Sequence, residues 1–250
     1  AFADANAGYR IRRHVNMLNA SLANWAGSGS TSLTPGSTAL SSYEAAIENG
    51  SSAMQDGYGH GTHVASVAAG LAKFYAASTP DATGVAPNAN LYDVKVLGDL
   101  GYGTVSDALE GIQWVIYHAK EHNIRVMNLS LAADSTESWQ TDPLCVAVRS
   151  AVAAGITVVV AAGNFGQTLF GKEVYGRIGA PGNDPSVITV GAVNYKDTIA
   201  RADESVNFFS SRGPTRGSFV DASGVKRVDN LIKPDLVAPG NKILGAAATS

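Results

Sequence analysis

A histidine flanked by glycines stands where a helix is expected to begin, in the run GYGHGTH at residues 57–63. The amino end of a helix carries partial positive charge and free N–H groups, which favour the neutral form of an imidazole placed there. A neutral histidine near physiological pH is suited to general-base catalysis, and glycines on both sides permit a substrate to approach closely. The run therefore predicts His60 as a general base.

Two other interpretations of this histidine stay open. One is a histidine that caps or packs at the start of a helix. The other is a metal site made by His60 and His63, which are three residues apart. The helical zinc motif spaces its histidines by four and places a glutamate between them, whereas Gly61 and Thr62 stand here. We therefore assign no metal site.

Polar residues follow two further strand-like segments. The run VVVAAGN at 158–164 ends on Asn164, whose amide is suited to donating to an oxyanion. The run VMNLSL at 126–131 offers extended backbone that can pair with a peptide by strand addition. An ordinary turn asparagine and an ordinary strand end are the structural alternatives. Leu97 precedes a glycine-rich loop at 98–103, which lacks the spacing of a phosphate-binding loop.

The composition describes the scaffold that must position these residues. The 250 residues are 16% charged and 45% hydrophobic, with one cysteine and a net charge of −3. Such a chain can bury a sizeable core. Its charge does not suit a nucleic-acid binder, and Cys145 alone excludes an internal disulfide framework. We find no apolar run long enough to span a membrane.

Hydrophobic periodicity predicts helices at 62–74, 105–122 and 142–154, and strands at 91–97, 124–131, 156–161 and 187–193. Strands that alternate with helices in this way predict an α/β fold with a mostly parallel sheet. In such folds the site lies at the carboxyl ends of the strands. Residues 19–57 indicate a surface insertion with a helical turn at 41–48, and 215–232 indicate an inserted surface hairpin or loop.

Five short motifs now combine into one pattern. HGTHVA at 60–65, NLS at 128–130, AAGN at 161–164, FSSRGP at 209–214 and APG at 238–240 occur in the order found in subtilisin-like serine proteases. Over about residues 57–240 the chain resembles this family. The resemblance implies the family's three-layer α/β fold, here a partial peptidase domain over 1–250 that is incomplete at both ends.

The resemblance implies roles for individual residues. His60 matches the catalytic histidine, His63 a structural position, and Asn164 the donor to the oxyanion. A polypeptide substrate would bind as an extended strand between two segments of the chain. Substrate-binding positions carried over in this way are Leu97, Gly101, Tyr102, Gly103, Ser130, Leu131, Ala132, Ala161, Ala162, Gly163 and Pro181. Small residues around the specificity pocket favour a large apolar substrate side chain.

Two members of the family's catalytic triad do not match. The family order is Asp, His, Ser, yet neither Asp4 nor Asp56 stands in the expected Asp-Thr/Ser-Gly context. Ser250 follows Ala248-Thr249 without the glycine of the family's serine motif, so we do not assign it as the nucleophile. We expect truncation at both ends, with the aspartate and the serine outside this chain.

The 250-residue chain by itself should therefore be an inactive part of a serine endopeptidase. We expect no covalent labelling of this chain by a serine-directed phosphonate, as measured by intact mass. Stoichiometric labelling would contradict both the truncation and the exclusion of Ser250.

Other classes remain for comparison. A non-catalytic relative that keeps the cleft as a peptide-binding module is the main alternative, although such a module needs neither His60 nor Asn164. The chain has neither the phosphate loop expected of a nucleotide-binding domain nor the Gly-x-Ser-x-Gly elbow expected of a lipase-type hydrolase.

Structural calcium stays open, with Asp184 in loop 182–187 as the candidate ligand. From the family we also expect a secreted or cell-envelope monomer without a nucleic-acid partner.

Overall fold

The computed structural model describes residues 2, 9–18, 34–48, 56–71 and 82–248. It divides the chain into two compact units, one formed by 1–111 with 244–250 and the other by 112–243. No helix in the described ranges combines the length and the apolar character needed to cross a membrane.

The first unit contains a pair of parallel strands. Strand β1 (Ile11–Asn16) runs beside β2 (Leu91–Lys95), and Val15 pairs with Val94. Arg10, which is 2% exposed, donates from its guanidinium to the carbonyls of Ala69 at 2.7 Å and Ala89 at 2.9 Å. The helices are α1 (Thr38–Ile47), α2 (His60–Ala69) and the first part of α3 (Val105–His118).

The second unit is built on a five-stranded sheet. Its strands and the accompanying helix are β3 (Val126–Leu129), α4 (Pro143–Ala153), β4 (Thr157–Ala161), β5 (Ile188–Asn194), β6 (Ser205–Val206) and β9 (Leu236–Pro239). Strands β3, β4 and β5 pair in parallel in that order, β9 pairs in parallel with β5, and β6 pairs with β5 in the antiparallel direction. The predicted α/β fold with a mostly parallel sheet is therefore confirmed.

Helix α4 shows how local sequence sets an element's position. Asp142 caps it by accepting from the backbone N–H of Leu144 at 2.9 Å and of Cys145 at 3.2 Å, and Pro143 occupies the first turn. Its inward face includes Val148, which is fully buried, and the helix contacts β4. The apolar centre of β4, with Val158 and Val160 both 1% exposed, is thereby kept from water.

Most predicted elements are present, with somewhat different bounds. The predicted helix at 62–74 is α2, which begins at His60 and ends at Ala69 with Gly70 as its cap, and residues 72–74 lie outside the described ranges. The predicted helix at 105–122 ends as a regular helix at His118. Strands β1, β6 and β9 are not among the predicted elements. The segments of β1 and β9, IRRHVN and LVAP, mix charged residues or proline with apolar ones, so neither stands out as a strand.

The two predicted insertions differ in how much of them the structure covers. Most of 19–57 lies outside the described residues, and the described part contains α1. Within 215–232, β7 (Ser218–Val220) and β8 (Lys226–Val228) form an antiparallel hairpin. Whether either segment is an insertion stays a prediction.

Candidate active site

The turn that precedes His60 is organised by one carboxylate. Asp56 accepts from the backbone N–H of Gly59 at 2.8 Å, and from the N–H and the hydroxyl of Thr62 at 2.8 and 2.7 Å. Asp56 thus acts as a side-chain cap for α2, whose first residue is the exposed His60. The hydrogen bonds of this carboxylate are thus made to the start of α2.

The pKa of Asp56 reflects this role. Partial burial acts to raise it, but the hydrogen bonds from Thr62 and Gly59 and the positive charge of Lys95 outweigh burial, so the pKa of Asp56 is lowered. The carboxylate is therefore ionised at neutral pH. A negative charge at the amino end of a helix is stabilising, and it holds the first turn, with His60, in place.

Within the first unit, the His60 turn lies against the predicted substrate loop. Gly98 donates its N–H to the carbonyl of Tyr102 at 2.7 Å, which closes the loop. At Gly101, where φ is +78°, a β-carbon would stand only 2.9 Å from the ring of Tyr58. A side chain at this position would be strained and would displace Tyr58. Leu97 and Gly103 adjoin each other in the same loop, and Tyr102 is 80% exposed.

Asn164 sits one turn beyond the end of β4. The chain turns at Gly163, where φ is +102°. Ser211 holds this turn from both sides: its N–H donates to the carbonyl of Gly163 at 2.9 Å, and its hydroxyl accepts from the N–H of Phe165 at 3.0 Å. Asn164 is exposed beyond the carboxyl end of β4.

The sequence shows the Ser-Ser-Arg-Gly-Pro motif but does not show which part of the structure the motif stabilises. Ser211 of this motif positions the turn that carries Asn164. Arg212, whose partner the sequence does not indicate, donates to the carbonyl of Gly166 at 3.1 Å and pairs with Glu173 at 3.4 Å. Its guanidinium also lies 5.9 Å from the centre of the Tyr175 ring. Arg212 is thus a structural cation that ties the segment after Asn164 to the motif.

The remaining predicted substrate residues of the second unit meet at the same edge. Ala133 and Ala180 exchange two backbone hydrogen bonds of 2.9 Å, which join the segment after β3 to the loop that contains Pro181. Gly179 donates to the carbonyl of Ala162 at 3.0 Å. The structure therefore brings together Ser130, Leu131, Ala132, Ala161, Ala162, Gly163 and Pro181.

These residues differ in what they can offer a substrate. Ala162 is 1% exposed and Pro181 is fully buried, so neither has surface available for a substrate. Both residues can only pack behind the predicted substrate-binding surface. Ser130, Ala132 and Ala161 are half-buried and have surface available for contact.

Asp184 does not fit the calcium site considered for loop 182–187. One oxygen of this fully buried carboxylate lies 2.6 Å from the guanidinium of Arg149. The other accepts from the N–H and the hydroxyl of Ser186 at 2.8 and 2.6 Å. A hard cation needs about six oxygen ligands, and at this position a protein cation already stands beside the carboxylate. Asp4 and Ser250, considered above for the triad, lie outside the described residues.

Comparison with known proteins gives the family directly. A family model described as the subtilase family matches residues 19–250. The serine protease AprX of Bacillus subtilis (strain 168) is 40% identical over 197 residues, which are 76% of this chain and 39% of AprX. Subtilisin DY of Bacillus licheniformis is 42% identical over 150 residues, which are 60% of this chain and 48% of that protein. The chain thus spans less than half the length of either relative.

Solved structures agree with these relatives. Sphericase superposes with a TM-score of 0.60 at 27% identity, over 86% of this chain and 60% of that one. The S41 psychrophilic protease gives a TM-score of 0.57 at 32% identity, over 80% of this chain and 57% of that one. The fold is accordingly subtilisin-like. With a family model that matches nearly all of its residues, the chain belongs to the subtilase family.

Proposed function

We propose that this chain is part of a serine endopeptidase, in which His60 is the general base and Asn164 donates to the oxyanion. The observation that carries the proposal is the placement of Asn164. Its side chain is exposed at the carboxyl edge of the parallel sheet, on a turn that Ser211 holds at both sides. Membership in the subtilase family supports the same assignment.

The proposed chemistry assigns each residue one task. His60 takes the proton of the serine hydroxyl as that oxygen attacks the substrate carbonyl, and later returns the proton to the leaving amine. Asn164 donates an N–H to the negative oxygen that forms at the former carbonyl. The proposal places the serine and the aspartate in a longer protein. This agrees with the 39% of AprX that the chain spans.

The substrate is proposed to be a polypeptide bound as an extended strand. Residues 130–132 continue from β3 beyond its last ladder pair, Leu129 with Val160. Backbone in this position can accept a further strand by main-chain hydrogen bonds. Ala132 and Ala161 are small and half-buried, which leaves room for a large apolar substrate side chain. A secreted location and a monomeric state remain predictions.

The Asn164→Ala variant tests the proposal. In the longer protein that carries this chain, we expect kcat for a peptide substrate to fall about 10²–10³-fold. KM should change only slightly, because the lost hydrogen bond forms in the transition state and not in the bound substrate. Steady-state kinetics on a chromogenic peptide measure both constants.

The matched control is Asn88→Ala, which removes an exposed asparagine from the other unit. Its kinetic constants should equal those of the parent. An unchanged kcat in Asn164→Ala, or a loss confined to KM, would contradict the assignment of Asn164.

A further inference from the structure

Three potential metal ligands converge at the carboxyl end of α3. His118, Glu121 and His122 are spaced so that all three side chains lie on one face of the helical turn, and the N–H of His122 donates to the carbonyl of His118 at 3.0 Å. Nδ1 of His118 lies 3.1 Å from one carboxylate oxygen of Glu121, and Nε2 of His122 lies 3.8 Å from the other. One ligand atom of each residue is within 4.8 Å of those of the other two.

The surroundings hold the cluster in place on its inner side. His118 is 7% exposed, and its ring centre is 4.5 Å from that of the buried Trp114. The rings of His118 and His122 are nearly parallel, with centres 5.5 Å apart. Such packing restricts the number of side-chain conformations the imidazoles can adopt. The entropy lost on capture of an ion is smaller for ligands that are already ordered.

The backbone end of the helix is also fixed. Asn123 takes a left-handed conformation with φ of +51°, and the N–H of Ile124 donates to the carbonyl of Ala119 at 2.9 Å. This arrangement closes the helix by a six-to-one hydrogen bond. The carboxyl end of a helix carries partial negative charge, which favours a cation.

The outer side of the cluster is open to solvent. Glu121 is exposed and His122 is half-buried. The ligand groups of Glu121 and His122 therefore face the side from which an ion would enter.

We propose that His118, Glu121 and His122 form a binding site for Zn²⁺ or a similar transition-metal ion. Two histidines and one glutamate are a common ligand set of zinc sites that keep a fourth position for water. Histidines four apart on a helical turn can bind one ion from the same face. Imidazole ligands select Zn²⁺, Ni²⁺ or Cu²⁺ over Ca²⁺ and Mg²⁺.

Binding requires a small closure of the side chains. With ligand distances of about 2.1 Å, a tetrahedral zinc ion places its donor atoms roughly 3.4 Å apart, whereas the spacings here extend up to 4.8 Å. Rotation of the exposed Glu121 side chain and of the His122 ring supplies this closure. The ion would replace the present contacts between the carboxylate and the two imidazoles.

Zinc titration of the purified 250-residue chain tests the site. After removal of metals with a chelator, isothermal titration with ZnCl₂ at pH 7.5 should show one saturable site. We expect His122→Ala and Glu121→Gln to weaken the affinity at least tenfold. Lys120→Ala is the matched control, since it removes an exposed side chain of the same turn that is not one of the three ligands, and it should bind zinc as the parent does.

A second measurement locates the ion. Trp114 is one of three tryptophans, and its ring centre lies 4.5 Å from that of His118 and 6.2 Å from that of His122. Bound Cu²⁺ should quench its fluorescence, and the quenching should largely disappear in Trp114→Phe. No saturable zinc binding, unchanged binding in His122→Ala, or quenching that persists in Trp114→Phe would overturn the proposal. None of these measurements depends on peptidase activity.

Discussion

Replacing His60 with alanine should lower kcat for peptide hydrolysis about 10⁶-fold in the longer protein that we propose carries this chain. The loss is this large because serine, histidine and aspartate act as a unit, and without the base the serine hydroxyl stays protonated. The residual rate would come from the oxyanion donor and from substrate binding. The measurement is kcat on a chromogenic peptide, with active sites counted by a serine-directed phosphonate in the parent enzyme.

The control for this variant lies one helical turn away. His63 is half-buried beside Gly245 in the first unit, and His63→Ala should retain kcat within about tenfold. Similar losses in the two variants would indicate that the helix had been disturbed rather than the base removed. A parent protein that binds peptides without hydrolysing them, and whose affinity is the same in His60→Ala, would instead support the peptide-binding module.

Loss of the buried carboxylate at Asp184 should produce the largest effect on stability. Asp184 is fully buried and pairs with Arg149 at 2.6 Å, and the arginine also donates to the carbonyl of Trp139 at 2.6 Å. Removing one member of a buried pair typically costs about 3–5 kcal/mol, because the remaining charge stays desolvated without its partner. Since the Arg149 side chain is 29% exposed, we expect Asp184→Ala to cost about 3 kcal/mol.

A surface ion pair of the same unit provides the matched control. Arg177 and Asp134 form an ion pair in which the side chains are 43% and 56% exposed. Exposed pairs contribute about 0–1 kcal/mol, so Asp134→Ala should change the free energy of unfolding by no more than that. Urea unfolding of the 250-residue chain measures both variants. Equal losses for Asp134→Ala and Asp184→Ala would contradict the role given to burial.

Sequence patterns predicted the elements whose signal is local. The continuous apolar run of β4 and the capped, periodic segment of α4 each identify their structure without distant contacts. Strand β1 has no such signal, because its sequence IRRHVN places two arginines and a histidine between its apolar residues. It is a strand because β2, about 80 residues later in the chain, pairs with it. Pairing over that separation cannot be read from either segment alone.

The residues of the candidate site also differ in whether local sequence identifies them. His60 and Asn164 were identified because glycine-flanked and strand-terminal positions restrict what a residue can do. The sequence does not reveal the role of Ser211, because its hydrogen bonds join segments that are distant in sequence. The cluster of His118 with His122 was also missed. A helix was predicted there, but the convergence of the rings depends on the helix end at Asn123 and on packing against Trp114.

The reciprocal bonds of Ser211 also concern how this part of the molecule opens. Ser211 donates to Gly163 and accepts from Phe165, so a displacement of this residue breaks both hydrogen bonds. The turn that carries Asn164 and the motif at 209–214 should therefore open together, as one cooperative unit of local unfolding. How long the turn at Asn164 stays closed then depends on the stability of the loop at 209–214, about 45 residues further along the chain.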